Sequence, residues 1–207
     1  MDYKGYIELD LTEEGLADFY SNREKYVDLV KENEYLLIKD STGEIVDKYC
    51  RQNDELRQVM FHKLGGTYTG AIKPRNPQQV CLFDMLKDKT SKIKLVTGRF
   101  GSGKTLAMTN AALELIEKGK FDRIVWVRNN VAVKDAPDIG FLPGTELEKL
   151  KPFLGPLIDH AGGEEGVSKL LDEGKLVVIP LGHLRGRSLK NCIIFCTECE
   201  NLTRQHI

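Results

Sequence analysis

The stretch LVTGRFGSGKTL, from Leu95 to Leu106, decides the fold of this chain of 207 residues. Its central part, Gly98 to Thr105, has the form G-x-x-x-x-G-K-T. It follows a short apolar run that begins at Ile93, and it precedes the helix-forming run LAMTNAALELIEKG. The sequence therefore predicts a strand, a glycine-rich turn and a helix in succession, the arrangement of a P-loop.

The residue types of this turn are those that bind a triphosphate. Glycines can adopt positive φ, so successive backbone N–H groups can point inward at an anion, and the following helix N-terminus favours the same charge. Lys104 adds a positive charge for the β- and γ-phosphates and has a catalytic role, and the Thr105 hydroxyl suits Mg²⁺. The alternative is a glycine-rich left-handed turn that merely precedes a helix. The predicted nucleotide-binding residues are Gly98, Arg99, Phe100, Gly101, Ser102, Gly103, Lys104, Thr105 and Leu106.

Composition and charge are those of a globular protein. Apolar residues make up 41% and charged residues 29%. The net charge of −1 argues against attraction of the whole protein to nucleic acid or to an anionic membrane, and it leaves room for a local basic patch. No apolar run approaches the ~20 residues that span a bilayer, and the N-terminus lacks a signal-peptide pattern. We therefore expect a cytoplasmic location and no membrane partner.

Residues 1–70 predict a small β-rich module with one helix. YKGYIELDL alternates apolar and polar residues as a strand does, and Thr12 then begins a helix as its N-cap. The runs EYLLIKD and EIVDKYC flank a Ser-Thr-Gly turn and predict a β-hairpin. The breaker-rich GGTYTGAIKP marks the boundary with the next domain, residues 71–207.

Residues 71–207 predict alternating helices and strands. A helix begins after the N-cap Asn76, with Pro77 at its first position and an apolar stripe of Val80, Phe83 and Leu86. The apolar runs DRIVWVR, KLVVIP and NCIIFC predict core strands at 122–128, 175–180 and 191–196. A short helix is predicted from Glu164 to Leu171, and the proline-rich stretch between residues 129 and 159 is predicted to be irregular. This alternation favours a parallel sheet with right-handed crossovers.

The last predicted strand ends in TECEN, where P-loop enzymes carry acidic residues. One carboxylate there holds the Mg²⁺ shell and the next polarises the attacking water. Glu198 is placed for the second, catalytic role, but Thr197 stands where an Asp would hold the metal shell. Because a hydroxyl carries no charge, we expect metal-dependent turnover to be weakened.

Three segments, in this order, resemble the PhoH-like ATPase family of P-loop proteins: GRFGSGKT, VRNNVAVKDAPDIGFLPGTELEK and PLGHLRGRSLKNCIIFCTECENLT. GFLPG and RGRSL are more specific to that family than the P-loop is. The resemblance runs from about Lys73 to the C-terminus. It implies a RecA-like P-loop NTPase fold with a three-layer parallel-sheet core, ATP and Mg²⁺ as ligands, RNA or single-stranded DNA as partner, and a homo-oligomer. The segment NEYLLIKDSTGEIVDKY is similar to the linker that joins a PIN-type ribonuclease module to the ATPase in two-domain members.

The resemblance, which extends to the helicases of superfamily 1, implies roles for four more residues. Gln79 would recognise the adenine edge, although a Gln at this helix position is also an ordinary solvent-facing residue. Arg128 would lie next to a surface that faces nucleic acid. Arg185 and Arg187 would contact phosphate of the nucleotide or of RNA, the alternative being a solvated basic loop.

The sequence departs from the family pattern at three places. The family's Asp-Glu-Ala-Gln-Asn is Thr-Glu-Cys-Glu-Asn here, and the Pro that follows Arg128 in the family is Asn129. The chain ends at Ile207, whereas the family continues through a further core strand, so we expect a sheet that lacks a strand and exposes an edge or an apolar patch. Two functional hypotheses follow: an ATPase coupled to RNA or single-stranded DNA, and a nucleotide-binding regulatory or truncated module deficient in hydrolysis.

Overall fold

The computed structural model describes residues 3–67, 69–128, 146–184, 186–197 and 199. Backbone contacts divide the chain into two compact units. The first comprises Met1–Lys63 and Lys73–Val96, and the second comprises Leu64–Ile72 and Thr97–Ile207. The domain boundary expected at residue 70 is a statement about two separate domains, which these contacts do not test, so it stays a prediction.

The first unit is built on a four-stranded sheet. Its strands β1 (Tyr6–Asp10), β2 (Tyr35–Lys39), β3 (Ile45–Gln52) and β4 (Glu55–Gln58) lie in chain order, with β1 parallel to β2 and the other neighbours antiparallel. Helix α1 (Glu13–Ser21) begins at Thr12, whose hydroxyl accepts a hydrogen bond from the Gly15 amide at 3.2 Å, and a 3-10 helix follows at Arg23–Leu29. The predicted strand, helix start and hairpin are confirmed, whereas β4 was not predicted.

Alternation along β2 gives this sheet an apolar cluster on each face. Leu36 and Ile38 pack with Phe19 of α1, and Tyr35 and Leu37 pack in a second cluster with residues of helix α2 (Pro77–Lys87). Helix α2 begins as predicted, with the Asn76 side chain accepting a hydrogen bond from the Gln79 amide at 2.8 Å.

The predicted apolar stripe of α2 is only partly right. Phe83 is buried, but Val80 and Leu86 are half-buried, and Cys81 and Asp84 are buried in their place. The reason is that α2 contacts the sheet through a carboxylate as well as through apolar side chains. An apolar pattern alone does not reveal such a contact.

The second unit contains a three-stranded parallel sheet, as predicted. Strand β5 (Arg123–Arg128) lies between β6 (Leu176–Pro180) and β7 (Cys192–Thr197). Helices α3 (Lys104–Glu117), α4 (Glu146–His160) and α5 (Gly163–Asp172) belong to the same unit. Helix α5 matches the predicted short helix. No helix in the described ranges is long and apolar enough to cross a membrane.

Helix α4 corrects the expectation of an irregular segment, although residues 129–145, which include GFLPG, lie outside the described part of the chain. The helix contains Pro152 and Pro156, two prolines of the stretch that was predicted to be irregular. Leu154 and Leu157 are fully buried in the main core of the unit. Burial of apolar side chains at helical spacing outweighs the two missing backbone donors.

Different elements pack against the two faces of the parallel sheet. Ile124 and Trp126 of β5 pack in the cluster that includes buried residues of α3, α4 and α5, and the Trp126 ring stacks on Phe195 with centroids 4.5 Å apart. Val125 and Val127 point to the opposite face. There they pack against apolar residues of the connection between β6 and β7, namely Leu181, Leu184 and Leu189.

The strand predicted directly before the P-loop is not formed. Residues 93–99 are irregular, and Ile93 and Leu95 are 90% and 75% exposed. No strand within the described ranges pairs with this segment, and an unpaired strand is not stable in water. No described residue pairs with the outer edge of β7 either, and Ile194 of that strand is 54% exposed.

The breaker-rich segment after residue 63 packs on helix α3 in the second unit. Leu64 and Ile72 form an antiparallel bridge, with N–H to O distances of 3.1 and 2.7 Å. Side chains of α3 then hold the loop between them. Glu114 accepts a hydrogen bond from the Gly65 amide at 3.2 Å, and Glu117 accepts one from the Thr67 amide at 2.9 Å.

Candidate nucleotide-binding site

The P-loop lies at the carboxyl edge of the parallel sheet. Helix α3 packs against β5, and the two are joined by the short connection 118–122, so they run antiparallel. The N-terminus of α3 therefore lies at the edge where β5, β6 and β7 end. In open α/β sheets this is the edge at which ligands bind.

Three glycines give the loop before α3 its shape. The φ angles of Gly98, Gly101 and Gly103 are 150°, 74° and 84°, and Gly103 is the left-handed N-cap of the helix. A Cβ atom at Gly98 would lie 3.3 Å from the Ser102 hydroxyl oxygen, so the loop is tight at that point. The backbone thus adopts the glycine conformations that an anion-binding loop requires.

Lys104 folds back over the same loop. Its ammonium group donates hydrogen bonds to the carbonyl oxygens of Gly98 at 2.7 Å and Arg99 at 2.9 Å. It also lies 5.9 Å from the centroid of the Phe100 ring, and that ring is fully exposed. These carbonyls are neutral, so the ammonium charge is not cancelled where a phosphate would bind.

The side chains that could hold Mg²⁺ are few. Thr105 is half-buried in the first turn of α3, and Thr197 is half-buried at the end of β7. Among the described residues no group of three His, Cys, Asp or Glu side chains could hold a metal ion. Mg²⁺ keeps several waters and is commonly bound through substrate phosphates with one or two protein ligands. The donor set fits Mg²⁺ bound in that way, with a triphosphate.

Two more of the predicted residues belong to the carboxyl edge. Arg128 is in register with Pro180 of β6 and with Thr197 of β7. The structure therefore brings Arg128 and Thr197 to the edge where α3 begins. Glu198 and Arg185 lie outside the described residues.

Gln79 belongs to the first unit, at the start of α2. Its side-chain oxygen accepts a hydrogen bond from the Arg75 amide at 2.7 Å, which closes the N-terminal turn of the helix. This contact gives Gln79 a local role as well. Adenine recognition stays a prediction.

Arg187 lies at the other edge of the sheet. It lines a cavity of about 300 Å³ together with Arg123, the first residue of β5, and Lys190, which precedes β7. Sequence analysis singled out Arg187 but missed the other two. The signal was present, since Arg123 begins the apolar run of β5 and Lys190 follows RGRSL directly.

Residues 71–207 match the family model described as PhoH-like protein, and this match covers more than half of the chain. The chain belongs to the PhoH-like family. Membership makes it a nucleotide-binding P-loop protein with an α/β fold, as the motifs predicted.

Members of the PhoH-like family align with the chain to different extents. Protein PhoH2 of Bacillus subtilis is 30% identical over 221 positions, which cover 99% of this chain and 49% of that relative. Protein PhoH2 of Thermobispora bispora is 34% identical over 64% of this chain and 31% of its own length. A PhoH-like protein of Synechocystis is 35% identical over 51% of this chain and 33% of its own. The chain spans about half the length of the first relative, and the other alignments cover about a third of each relative.

Proposed function

We propose that this PhoH-like chain binds ATP together with Mg²⁺ at its P-loop and hydrolyses it in a reaction linked to single-stranded RNA or DNA. One observation carries the proposal. The glycine loop, the N-terminus of α3 and the Lys104 ammonium group converge at the carboxyl edge of a parallel sheet. Backbone donors, a helix dipole and a mobile cation are the groups that bind a triphosphate.

Each residue of the loop has a stated part in this proposal. Backbone amides of the loop donate to the phosphates, and Lys104 exchanges two carbonyl oxygens for phosphate oxygens. The Thr105 hydroxyl ligates Mg²⁺, which when bound neutralises charge on the phosphates. Glu198, next in sequence after Thr197, orients the attacking water.

A second candidate function rests on Thr197. At the end of β7 this residue carries a neutral hydroxyl where a carboxylate would hold the metal shell. A chain with this substitution binds the nucleotide and releases phosphate slowly or not at all. It then acts as a nucleotide-holding regulatory module.

The wider setting of the proposal comes from the family resemblance. It comprises a cytoplasmic location, a homo-oligomer and a nucleic-acid partner. The basic residues Arg128, Arg185 and Arg187 are the proposed contacts to phosphate. The net charge of −1 means that such contacts depend on a local patch rather than on the whole protein.

The test is to measure ATP binding and steady-state phosphate release on one purified sample, with and without Mg²⁺ and with single-stranded RNA added. A fluorescent ATP analogue reports binding, and Lys104→Ala supplies the background. Binding with RNA-stimulated release supports the ATPase. Binding without release supports the nucleotide-holding module, and absence of binding overturns both.

A further inference from the structure

A basic cavity lies at the amino edge of the parallel sheet in the second unit. Its volume is about 300 Å³. Val125, Val177 and Ile179 form an apolar floor on the sheet face opposite the helices, and residues 187–190 of the connection between β6 and β7 form a wall. Cys192, the first residue of β7, completes the lining.

Three cationic side chains line this cavity: Arg123, Arg187 and Lys190. All three are exposed, and none forms an ion pair with a described Asp or Glu. Elsewhere in the same unit Lys175 pairs with Glu173 at 2.7 Å and Lys151 with Glu164 at 2.8 Å. Cations that converge on one cavity without a carboxylate repel one another, and a bound anion relieves that repulsion.

The cavity is separate from the P-loop. Arg123 is in register with Cys192 at the start of β5 and β7, whereas Arg128 is in register with Thr197 at their ends. Five residue steps of a strand span about 17 Å. Arg123 and Lys190 are therefore near the opposite edge from the start of α3, and the apolar floor lies on the sheet face opposite the helices. A triphosphate in the P-loop does not fill the cavity.

We propose that this cavity binds one nucleotide of a single-stranded nucleic acid. Arg123, Arg187 and Lys190 contact the phosphate, and the base lies against Val177 and Leu189, the partly exposed apolar residues of the lining. A duplex hides the faces of its bases, whereas a single strand can place a base in a recess of this size. The inference names the strand-binding site of the proposed function and rests on it for the link to ATP.

The connection between β6 and β7 links the cavity physically to the edge of the sheet at which ATP is proposed to bind. It begins at the carboxyl edge after Pro180 and returns to the amino edge at Lys190. The C-terminal end of this connection thus contacts the bound nucleic acid, and its N-terminal end lies at the carboxyl edge of the sheet, where the P-loop also lies. Binding at the cavity restrains that segment.

The test uses the full chain and a fluorescein-labelled single strand of twelve uridine nucleotides, followed by anisotropy at increasing KCl. The variant combines Arg123→Gln, Arg187→Gln and Lys190→Gln. The matched control combines Lys63→Gln, Lys89→Gln and Lys92→Gln, three exposed lysines of the first unit without an ion pair to a described residue. Both variants lose the same charge.

We expect the cavity variant to lose roughly tenfold or more in affinity, and its slope of log K against log salt to fall by about 0.7, because the three cations neutralise one phosphate of the strand. The control keeps the wild-type slope. Equal losses in both variants, or no loss in either, overturn the inference. Cavity and control variants that bind uridine monophosphate equally well also overturn it, since the three cations then do not contact the phosphate of the bound nucleotide.

Two further measurements distinguish a loss of strand binding from misfolding of a variant and from a loss of ATP binding. Thermal unfolding midpoints must match among the three proteins, and if they do not, Lys190→Glu alone must lower affinity for the strand. A fluorescent ATP analogue is titrated into each protein. Wild-type protein that binds the analogue but not the strand overturns the cavity assignment and leaves the P-loop assignment standing.

Discussion

Arg57 and Asp84 form a two-pronged ion pair that joins β4 to α2. The guanidinium donates to the two carboxylate oxygens at 3.1 and 2.7 Å, and the Asp84 side chain is only 3% exposed. The Tyr35 hydroxyl donates to the same carboxylate at 3.0 Å. Burial, and then the nearby Asp84 charge, raise the pKa of Tyr35. Helix α2 is therefore held on the sheet by a buried charge whose donors come from two strands.

Asp84→Asn should lower the free energy of unfolding by roughly 3 kcal/mol, because it leaves the Arg57 charge without its buried partner. Urea unfolding measures the change. Asp28→Asn is the control, since Asp28 also pairs with an arginine, Arg51 at 3.3 Å, but is 95% exposed. The Asp28→Asn variant should lose less than about 1 kcal/mol in free energy of unfolding. Equal losses would mean that the buried pair does not stabilise α2.

Asp88 should make stability depend on pH in the acid range. Burial alone raises the pKa of this carboxyl, but hydrogen bonds from the amides of Ser91 and Thr90, at 3.0 and 3.1 Å, and from their hydroxyls hold it well below its usual range. Because the folded pKa is the lower one, the contribution is complete above the unfolded pKa of about 3.9 and is lost as pH falls. The stability difference between wild type and Asp88→Asn should be constant from about pH 7 to 5 and shrink below about pH 4. A difference that stays flat at acid pH would contradict this.

Gly65→Ala should destabilise the second unit more than an ordinary glycine substitution. Its φ is 113°, and an added Cβ would lie 2.1 Å from the Gly70 carbonyl oxygen. We expect a loss of at least about 3 kcal/mol from strain and displacement of the loop on α3. Gly119→Ala is the control, with φ of 62° and no atom within 4 Å of the added Cβ. It should cost about 1 kcal/mol in urea unfolding, and a loss as large as that of Gly65→Ala would rule out the steric explanation.

Lys104→Ala should weaken binding of a fluorescent ATP analogue by roughly tenfold to a hundredfold, since a hydrogen bond to a charged group contributes about 1.5–3 kcal/mol. The circular dichroism spectrum should not change, because the contacts of the side chain to described residues, two carbonyls and the exposed Phe100 ring, are all within its own loop. Lys120→Ala is the control, an exposed lysine after the end of the same helix. Unchanged affinity in Lys104→Ala would remove the P-loop from the proposed function.

Thr197→Asp should raise Mg²⁺-dependent phosphate release if a missing charge limits turnover. Carboxylates are the usual protein ligands of the Mg²⁺ shell, and Thr197 ends β7 in register with Arg128. Thr197→Asn is the control, because it has a similar shape without the charge. Phosphate release that stays as low in the Asp variant as in the Asn variant would contradict the role given to this position.

Particular residues show where sequence analysis succeeded and failed. Asn76 and Pro77 began α2 as predicted, because a helix cap depends on residues within one turn. Pro152 and Pro156 lie within α4, where an irregular segment was predicted, because burial of Leu154 and Leu157 stabilises the helix despite the two prolines. The strand expected before Gly98 failed for a related reason, since a strand exists only when another strand pairs with it.

The sequence by itself determined the glycine loop with its lysine, the start of α3, the parallel strands and membership of the PhoH-like family. These depend on residue types at short, fixed spacings. Only the tertiary structure decided that Arg57 and Asp84, which are 27 residues apart, share a buried contact. It also decided that Arg123, Arg187 and Lys190 line one cavity. The physical reason is that the packing of strands, helices and connections brings together side chains that are distant along the chain, and no short sequence pattern records which elements pack against each other.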